Sequence, residues 1–366
     1  MDPALYPNAT FPDEETLKVG LGFLRKASAQ RNASGTPFWL GVGFVKPHLP
    51  HVFPKKFGEL VPATADIDLP PNPNVRPSTL ATSSSGSDQR GRWQFTTGCP
   101  TIEWLSKGPA HAWDKPASPE STRSLRHAYY SAAAFSDSLL GELLGEVDAL
   151  GRRMDTAVVL TADHGWGLGE HNHWIKYTTW ETDTRVPMML RAPWATAIVG
   201  KRTAALVEHV DLYPSLAEIA GVPVDKTLES IDGESWASLL DDPAAQHKTA
   251  AYSQYPRCWP ANVTHDASAF VNMARCSGVD KHLFAYMGFS IRTADFRYTE
   301  WAAWDGAALA PLWNVSAGVE LYDHTADPPE SAKDSFERFE NLNVAAAQPA
   351  TAAKLSRQLR AFFDAH

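Results

Sequence analysis

Cysteine is scarce, with three in 366 residues, which excludes a small scaffold held together by disulfides. Cys258 and Cys276 stand close enough in sequence to bridge a short loop, and Cys99 is left over. A basic excess is missing too. Lys and Arg number 33 against 42 Asp and Glu, a formal net charge of −9. Most of such a surface repels phosphate backbones, so no nucleic-acid partner is expected. Any anion this chain binds must be caught by a local cluster of cations. No run of 18 apolar residues occurs, so no transmembrane segment is expected. The opening MDPALYPNATFPDEE has neither the basic nor the apolar stretch of a signal peptide.

Hydrophobic residues make up 44% of the chain and aromatics 11%. That is enough apolar surface for a large core at a length of about two domains. Thirteen Trp supply broad apolar faces for a core or a cleft. Asn-x-Ser/Thr sequons begin at Asn8, Asn32, Asn262 and Asn314, a pattern suited to a secreted or lysosomal glycoprotein.

Leu17, Leu21, Phe23 and Leu24 among charged residues predict a helix over 14–29, followed by a buried strand at Thr36 to Val45 (TPFWLGVGFV). Pro47 and Pro50 stop that strand and leave His48 at its carboxyl end. The Pro-, Ser- and Thr-rich stretch that follows reads as a surface excursion, linker-like over 76–92 and most so at SSSGSDQRGR (83–92). An Ala-rich amphipathic pattern predicts a long helix over 121–150, closed by Gly151. Next come a strand at 156–161, another at 186–191 and a helix over about 211–220. Strands alternating with helices favour an α/β fold with a mostly parallel sheet flanked by helices. Beyond Asp242 the texture changes. Short strands at 250–255, 287–293 and 297–304 and a helix at 351–365 predict a smaller antiparallel-sheet unit with a terminal helix. The reading is therefore 1–245 for the α/β domain and 246–366 for the C-terminal α+β part.

Ligands of open parallel sheets gather at the carboxyl ends of strands, where both His48 and the pair Asp163-His164 fall. A carboxylate and an imidazole side by side at such a corner suit one cation. The same Asp-His-Gly tripeptide equally suits an Asp that caps the next turn beside a surface His. The run DHGWGLGEHNHWIKY (163–177) adds more titratable groups in one loop, which a purely structural loop rarely carries. Lys176 offers a point charge to an anion, and Trp166 and Trp174 offer flat faces to a ring. His171 is expected to organise the loop by hydrogen bonding, and Glu170 to act as a cap.

Taken together, FWLGVGFVKPHLPHVFPKKF, TADHGWGLGEHNHWIKYTTWETDTRVPMMLRAP, VEHVDLYPSLAEIAGV, YSQYPR and MGFSIRTADFRYTEW resemble the sulfatases of the alkaline-phosphatase-like superfamily, nearest to the iduronate-2-sulfatase branch. The resemblance runs from about residue 36 to about residue 326. It implies an alkaline-phosphatase-like sheet, here incomplete at its N-terminal side, and hydrolysis of sulfate esters on uronic-acid-containing glycans. Carried over by position, it makes Asp163 and His164 ligands of a calcium ion. Lys176 becomes a catalytic and substrate-binding residue, His48 the histidine near the sulfate, and Trp166 and Tyr177 substrate contacts. It also implies a lysosomal or secreted location.

The chain departs from the family pattern in one large respect. The C-x-P-S-R cysteine that becomes formylglycine, and the Asp-Asp pair near the start of the domain, are not found. Cys258-Trp259-Pro260 lacks the Arg and lies downstream of Asp163-His164. The calcium ligand set is thus incomplete, and the chain alone is expected to be inactive. Two other readings follow from the same residues: a phosphodiester or phosphonate hydrolase of the superfamily, and a non-catalytic glycan-binding relative.

Overall fold

The computed structural model describes residues 10–73, 117–223, 231–258, 276, 279–327 and 339–365. The linker-like 76–92, Cys99, Asn8 and Asn262 lie outside the described residues, whereas Asn32 and Asn314 are exposed. The described residues form two compact units, one from 10–69 and 117–158 and the other from 70–73 and 159–365. This division by compactness falls near residue 158, while the sequence division at 245/246 follows the change of texture.

In the first unit, α1 (Pro12–Ser34) starts where Pro12 fits the first turn and Asp13, Glu14 and Glu15 face the positive helix end. The Glu14 carboxylate accepts from the Phe11 amide at 3.0 Å. The helix stops at Gly35, whose φ of 72° is the left-handed turn that glycine adopts without cost. A single turn, α2 (Lys55–Gly58), follows. The long α3 (Pro119–Ala149) begins at Ser118, whose side chain accepts from the Ser121 amide. Phe11, Leu17, Phe57, Phe135 and Leu139 form the core between these helices.

The segment Thr36 to Val45 differs from its sequence reading. It belongs to no sheet among the described residues. Phe38, Leu40, Val42 and Phe44 are half-buried, whereas Trp39 is 79% and Val45 54% exposed. An apolar run becomes a two-face-buried strand only when neighbours pair with it and cover it, and here one side alone is covered. The loop after it is held by Asp13, a residue the sequence pattern did not mark. This carboxylate is 1% exposed and accepts from the Val45 and Lys46 amides at 2.8 and 2.9 Å. Ser136 donates to the Lys46 carbonyl at 2.8 Å. Replacing Asp13 by Ala leaves two inward-facing amides unpaired and is expected to cost about 2 kcal/mol. Urea unfolding of the variant checks this, and an unchanged midpoint would refute it.

The second unit is built on an antiparallel sheet of β5 (Ala251–Arg257), β6 (Tyr286–Arg292), β7 (Phe296–Asp305) and β8 (Ala310–Asp323), in that order. The C-terminal helix, α6 (Pro349–Phe363), packs Leu355 and Leu359 against Met287, Phe289, Ile291, Tyr298 and Leu321 on one face. Alternation then sends Arg257, Ser290, Arg297, Thr299, Trp301, Glu320 and Tyr322 to the other face. Three of these strands and α6 were legible in the sequence. The 14-residue β8 was not, since Pro311, Asn314 and Gly318 interrupt its pattern. Cys258 and Cys276 are joined as a disulfide with a Cα separation of 5.7 Å. The unit also holds β1 (Val158–Thr161), paired with β4 (Met188–Arg191), and α5 (Leu212–Ile219). A small hairpin joins β2 (Gly167–Leu168) to β3 (Trp174–Ile175), and α4 (Glu181–Thr184) is a single turn.

Candidate active site

Strand β1 ends two residues before Asp163, and there the chain turns sharply at Gly165. The Gly165 amide donates to the Asp183 carbonyl at 2.8 Å, and a Cβ on this residue would come within 2.0 Å of the Thr182 carbonyl oxygen. Only glycine fits that approach. The loop 163–183 then folds over the polar face of the four-stranded sheet. Trp180 is fully buried, packs with Trp301 and Tyr322, and donates from Nε1 to the Tyr322 hydroxyl at 3.3 Å.

A buried carboxylate organises the loop from within. Asp183 accepts from the Thr178 amide and hydroxyl at 2.8 Å each and from His173 Nε2 at 2.9 Å. His171 Nε2 donates to the Phe339 carbonyl at 3.1 Å, and the Glu170 carboxylate accepts from the Leu168 amide at 2.6 Å. His171 thus organises the loop by hydrogen bonding, whereas Glu170 caps no helix: Gly169 is the N-cap of its turn, and the carboxylate reaches back to the preceding strand. His171, Ile175 and Tyr177 have φ of 54°, 69° and 96°. Three non-glycine residues held in the left-handed region within seven positions mark a backbone bent to present its side chains.

Lys176, between two of those residues, is presented to His164. Its ammonium lies 2.7 Å from His164 Nε2. The other ring nitrogen, Nδ1, sits 2.8 Å from the Gly165 carbonyl. A carbonyl only accepts, so Nδ1 carries the proton and Nε2 presents a lone pair. Asp163 Oδ2 is 3.2 Å from that same Nε2, and its side chain is 86% exposed. The Lys176 ammonium brings a positive charge to that lone pair on the His164 ring. Trp166 stacks on the His164 ring with centroids 6.3 Å apart. The Lys176 ammonium is 6.0 Å from the Trp166 ring and 5.9 Å from that of Tyr177, which in turn meets Tyr255 of β5 at 5.8 Å. The structure thus brings together Asp163, His164, Trp166, Lys176 and Tyr177. Tyr255 was missed because a lone Tyr in a strand carries no chemical signal until its neighbour is known.

His48 lies in the first unit, exposed in the loop that Asp13 anchors. Its Nδ1 donates to the Leu49 carbonyl at 2.7 Å, so in the neutral ring Nε2 carries the lone pair. The one Asp-Asp pair in the chain, Asp241-Asp242, is exposed far from the start of the domain.

Asp163 and His164 match a hard divalent cation in donor type: a carboxylate oxygen beside an imidazole whose tautomer a carbonyl has fixed. They provide two of the roughly 6 to 8 ligands calcium takes. A different cluster, Glu181, His324 and Glu340, has ligand atoms within 4.8 Å of one another, close enough to hold a cation. Arg297 already bridges its two carboxylates, and Arg292 reaches Glu181 at 3.2 Å. Guanidinium charge thus stands where a metal would.

The Sulfatase family model matches residues 2–222, and that of the N-sulphoglucosamine sulphohydrolase C-terminal region matches 169–277. Iduronate 2-sulfatase of Mus musculus is 31% identical over 90% of this chain, and the match spans 62% of that relative's length. Among solved structures, BT4656 in complex with its substrate D-glucosamine-2-N,6-O-disulfate superimposes with a TM-score of 0.66 at 18% identity, over 97% of this chain and 69% of that one. The phosphonate monoester hydrolase SpPMH from Silicibacter pomeroyi gives 0.62 at 22% identity, over 92% and 59%. These structural likenesses establish the alkaline-phosphatase-like fold.

Proposed function

This chain belongs to the sulfatase family, and on that premise we propose that it forms part of a sulfuric ester hydrolase of the iduronate-2-sulfatase type, acting on sulfated uronic-acid-containing glycans in a secreted or lysosomal setting. Among the described residues no helix is long and apolar enough to cross a membrane. The observation that carries the reading is the Lys176–His164–Asp163 constellation, where an ammonium and a tautomer-fixed imidazole converge at the exposed end of β1.

Lys176 donates one N–H to His164 Nε2, holds a sulfate oxygen through its other donors and offsets charge that builds on the transferred group. Trp166 and Tyr177 bracket it with ring faces against which a sugar packs. His48 is the candidate for moving a proton at the ester oxygen that leaves, since its Nε2 accepts or donates according to protonation. Asp163 and His164 would hold a calcium ion together with ligands beyond this pair. Such an ion neutralises sulfate charge when bound.

Because the sulfate binds through Lys176, the full chain is expected to bind a 2-O-sulfated uronate disaccharide, and Lys176→Ala to weaken that binding by about tenfold, the worth of one charged hydrogen bond. Titration calorimetry with the sulfated disaccharide, its desulfated form and a phosphonate monoester decides among the readings. Equal binding by the desulfated sugar would refute sulfate recognition. Preference for the phosphonate would favour the other hydrolase branch.

A further inference from the structure

The second unit carries a groove of about 1040 Å³ formed by residues 201–206, 243–249, the turn between β6 and β7, and the first turns of α6. No residue of the 163–177 loop lines it. Its charge is opposite to that of the chain as a whole. Lys201, Arg202, Lys248 and Lys354 line it, and Asp295 is the lone carboxylate among them, whereas the full chain carries −9.

The four cations are not equivalent. The Lys248 ammonium is held by Glu208 and Asp211 at 2.6 Å each, so its charge is spent inside the fold. Lys201, Arg202 and Lys354 are exposed at the groove walls. Between the cations lie four threonines and two glutamines, with small Ala and Pro residues completing the walls. Its large apolar side chains, Leu206, Phe296 and Leu355, are half-buried or buried.

That lining matches one ligand chemistry better than others. An acidic peptide binds chiefly through apolar or aromatic anchors set in pockets, and exposed ones are lacking here. A sulfated oligosaccharide presents anionic groups at intervals along a chain of hydroxyls. Separated cations interleaved with hydroxyl and amide side chains complement such a ligand. At about 1040 Å³ the groove stands at the upper end of the range of small-ligand pockets, roughly 300 to 1,000 Å³, room enough for more than one sugar unit. We infer that this groove is a second, non-catalytic binding site for a sulfated oligosaccharide, distinct from the 163–177 loop. The inference rests on the sulfated-glycan reading of the family site and extends it to a longer ligand.

The test is titration of the full chain with a heparin-derived hexasaccharide, its fully desulfated counterpart and poly-glutamate, at low and physiological salt. The sulfated hexasaccharide is expected to bind. Lys201→Ser combined with Lys354→Ser should weaken it about a hundredfold, at roughly tenfold per charged contact, with salt sensitivity reduced. In a Lys176→Ala background the hexasaccharide should still bind, and the two groove substitutions should weaken it by the same factor as in the parent chain. Both substituted lysines are exposed, and an unchanged circular dichroism spectrum confirms folding. No binding, equal binding of the desulfated chain or of poly-glutamate, or indifference to the double substitution would each overturn the inference. The two sites fail separately. If Lys176→Ala alone abolishes hexasaccharide binding, the groove is refuted and the active-site reading stands. If the sulfated disaccharide ignores Lys176→Ala while the groove variants lose the hexasaccharide, the reverse holds.

Discussion

The purified 366-residue chain is expected to release no sulfate from an aryl sulfate or from a 2-sulfated uronate disaccharide, with or without calcium. Cleavage of the S–O bond needs a nucleophile in line with the leaving oxygen. The sequence contains no C-x-P-S-R, and Cys258 is committed to its disulfide with Cys276. Charge stabilisation and proton transfer, the roles proposed for Lys176 and His48, assist a nucleophile but do not replace one. The deficit against a sulfatase that carries the C-x-P-S-R cysteine should be about a million-fold or larger, within the span of acceleration enzymes achieve. Sulfate release followed by ion chromatography over a day checks this. Turnover that vanishes in Asp163→Ala would reveal a nucleophile among the residues present and overturn the expectation.

The second large effect concerns the support beneath the 163–183 loop. Glu181 of α4 and Glu340 are both buried and share Arg297, while Glu340 also accepts from the Glu181 amide at 2.7 Å. His324 joins them, 3.4 Å from Glu340 by Nε2 and 2.5 Å from Asp327 by Nδ1. Arg297→Met removes the shared cation and leaves two buried carboxylates under-compensated, Glu181 with Arg185 and Arg292 and Glu340 with His324. The expected cost is about 3 to 5 kcal/mol, or roughly 10 °C in melting temperature for a unit of this size.

The same cluster gives a pH profile. Burial drives the Glu181 carboxyl up, but Arg297 and Arg292 overcome it and hold it down at about 2. A carboxyl depressed on folding stabilises above its unfolded value, near 4.5, and that contribution of about 3 kcal/mol is lost as pH falls toward 2. Burial disfavours charged His324, yet Asp327 and Glu340 outweigh it and raise its pKa above 6.5. A histidine raised on folding stabilises below 6.5, and its contribution is lost as pH rises through the folded value. Stability from this cluster should therefore peak between about pH 4.5 and 6.5. Melting curves from pH 3 to 8 test it: Glu181→Gln should flatten the acid side and His324→Gln the alkaline side. A wild-type melting temperature that does not change with pH would sink the account.

Local signals were sufficient for much of this protein. Apolar spacing locates α1, though 14–29 falls five residues short of its end at Ser34, Gly151 closes α3, and the apolar runs locate β1 and β5 to β7, because such patterns are written within a few residues. The crowding of Asp163, His164 and Lys176 into one loop was legible for the same reason. What the sequence left open depended on partners distant along the chain. Thr36 to Val45 reads as a buried strand, yet burial on both faces requires neighbours that pair with it. Asp13 looks like a helix-end acid until the amides 32 and 33 residues later are brought to it. Glu181, Arg297, His324 and Glu340 look like ordinary surface charges. Only the register of β7 against its neighbours, together with the turn of α4, collects them into one buried network. Which charges end up beneath the loop is a property of tertiary packing, since low-dielectric burial makes a charge costly unless a partner arrives from elsewhere in the fold.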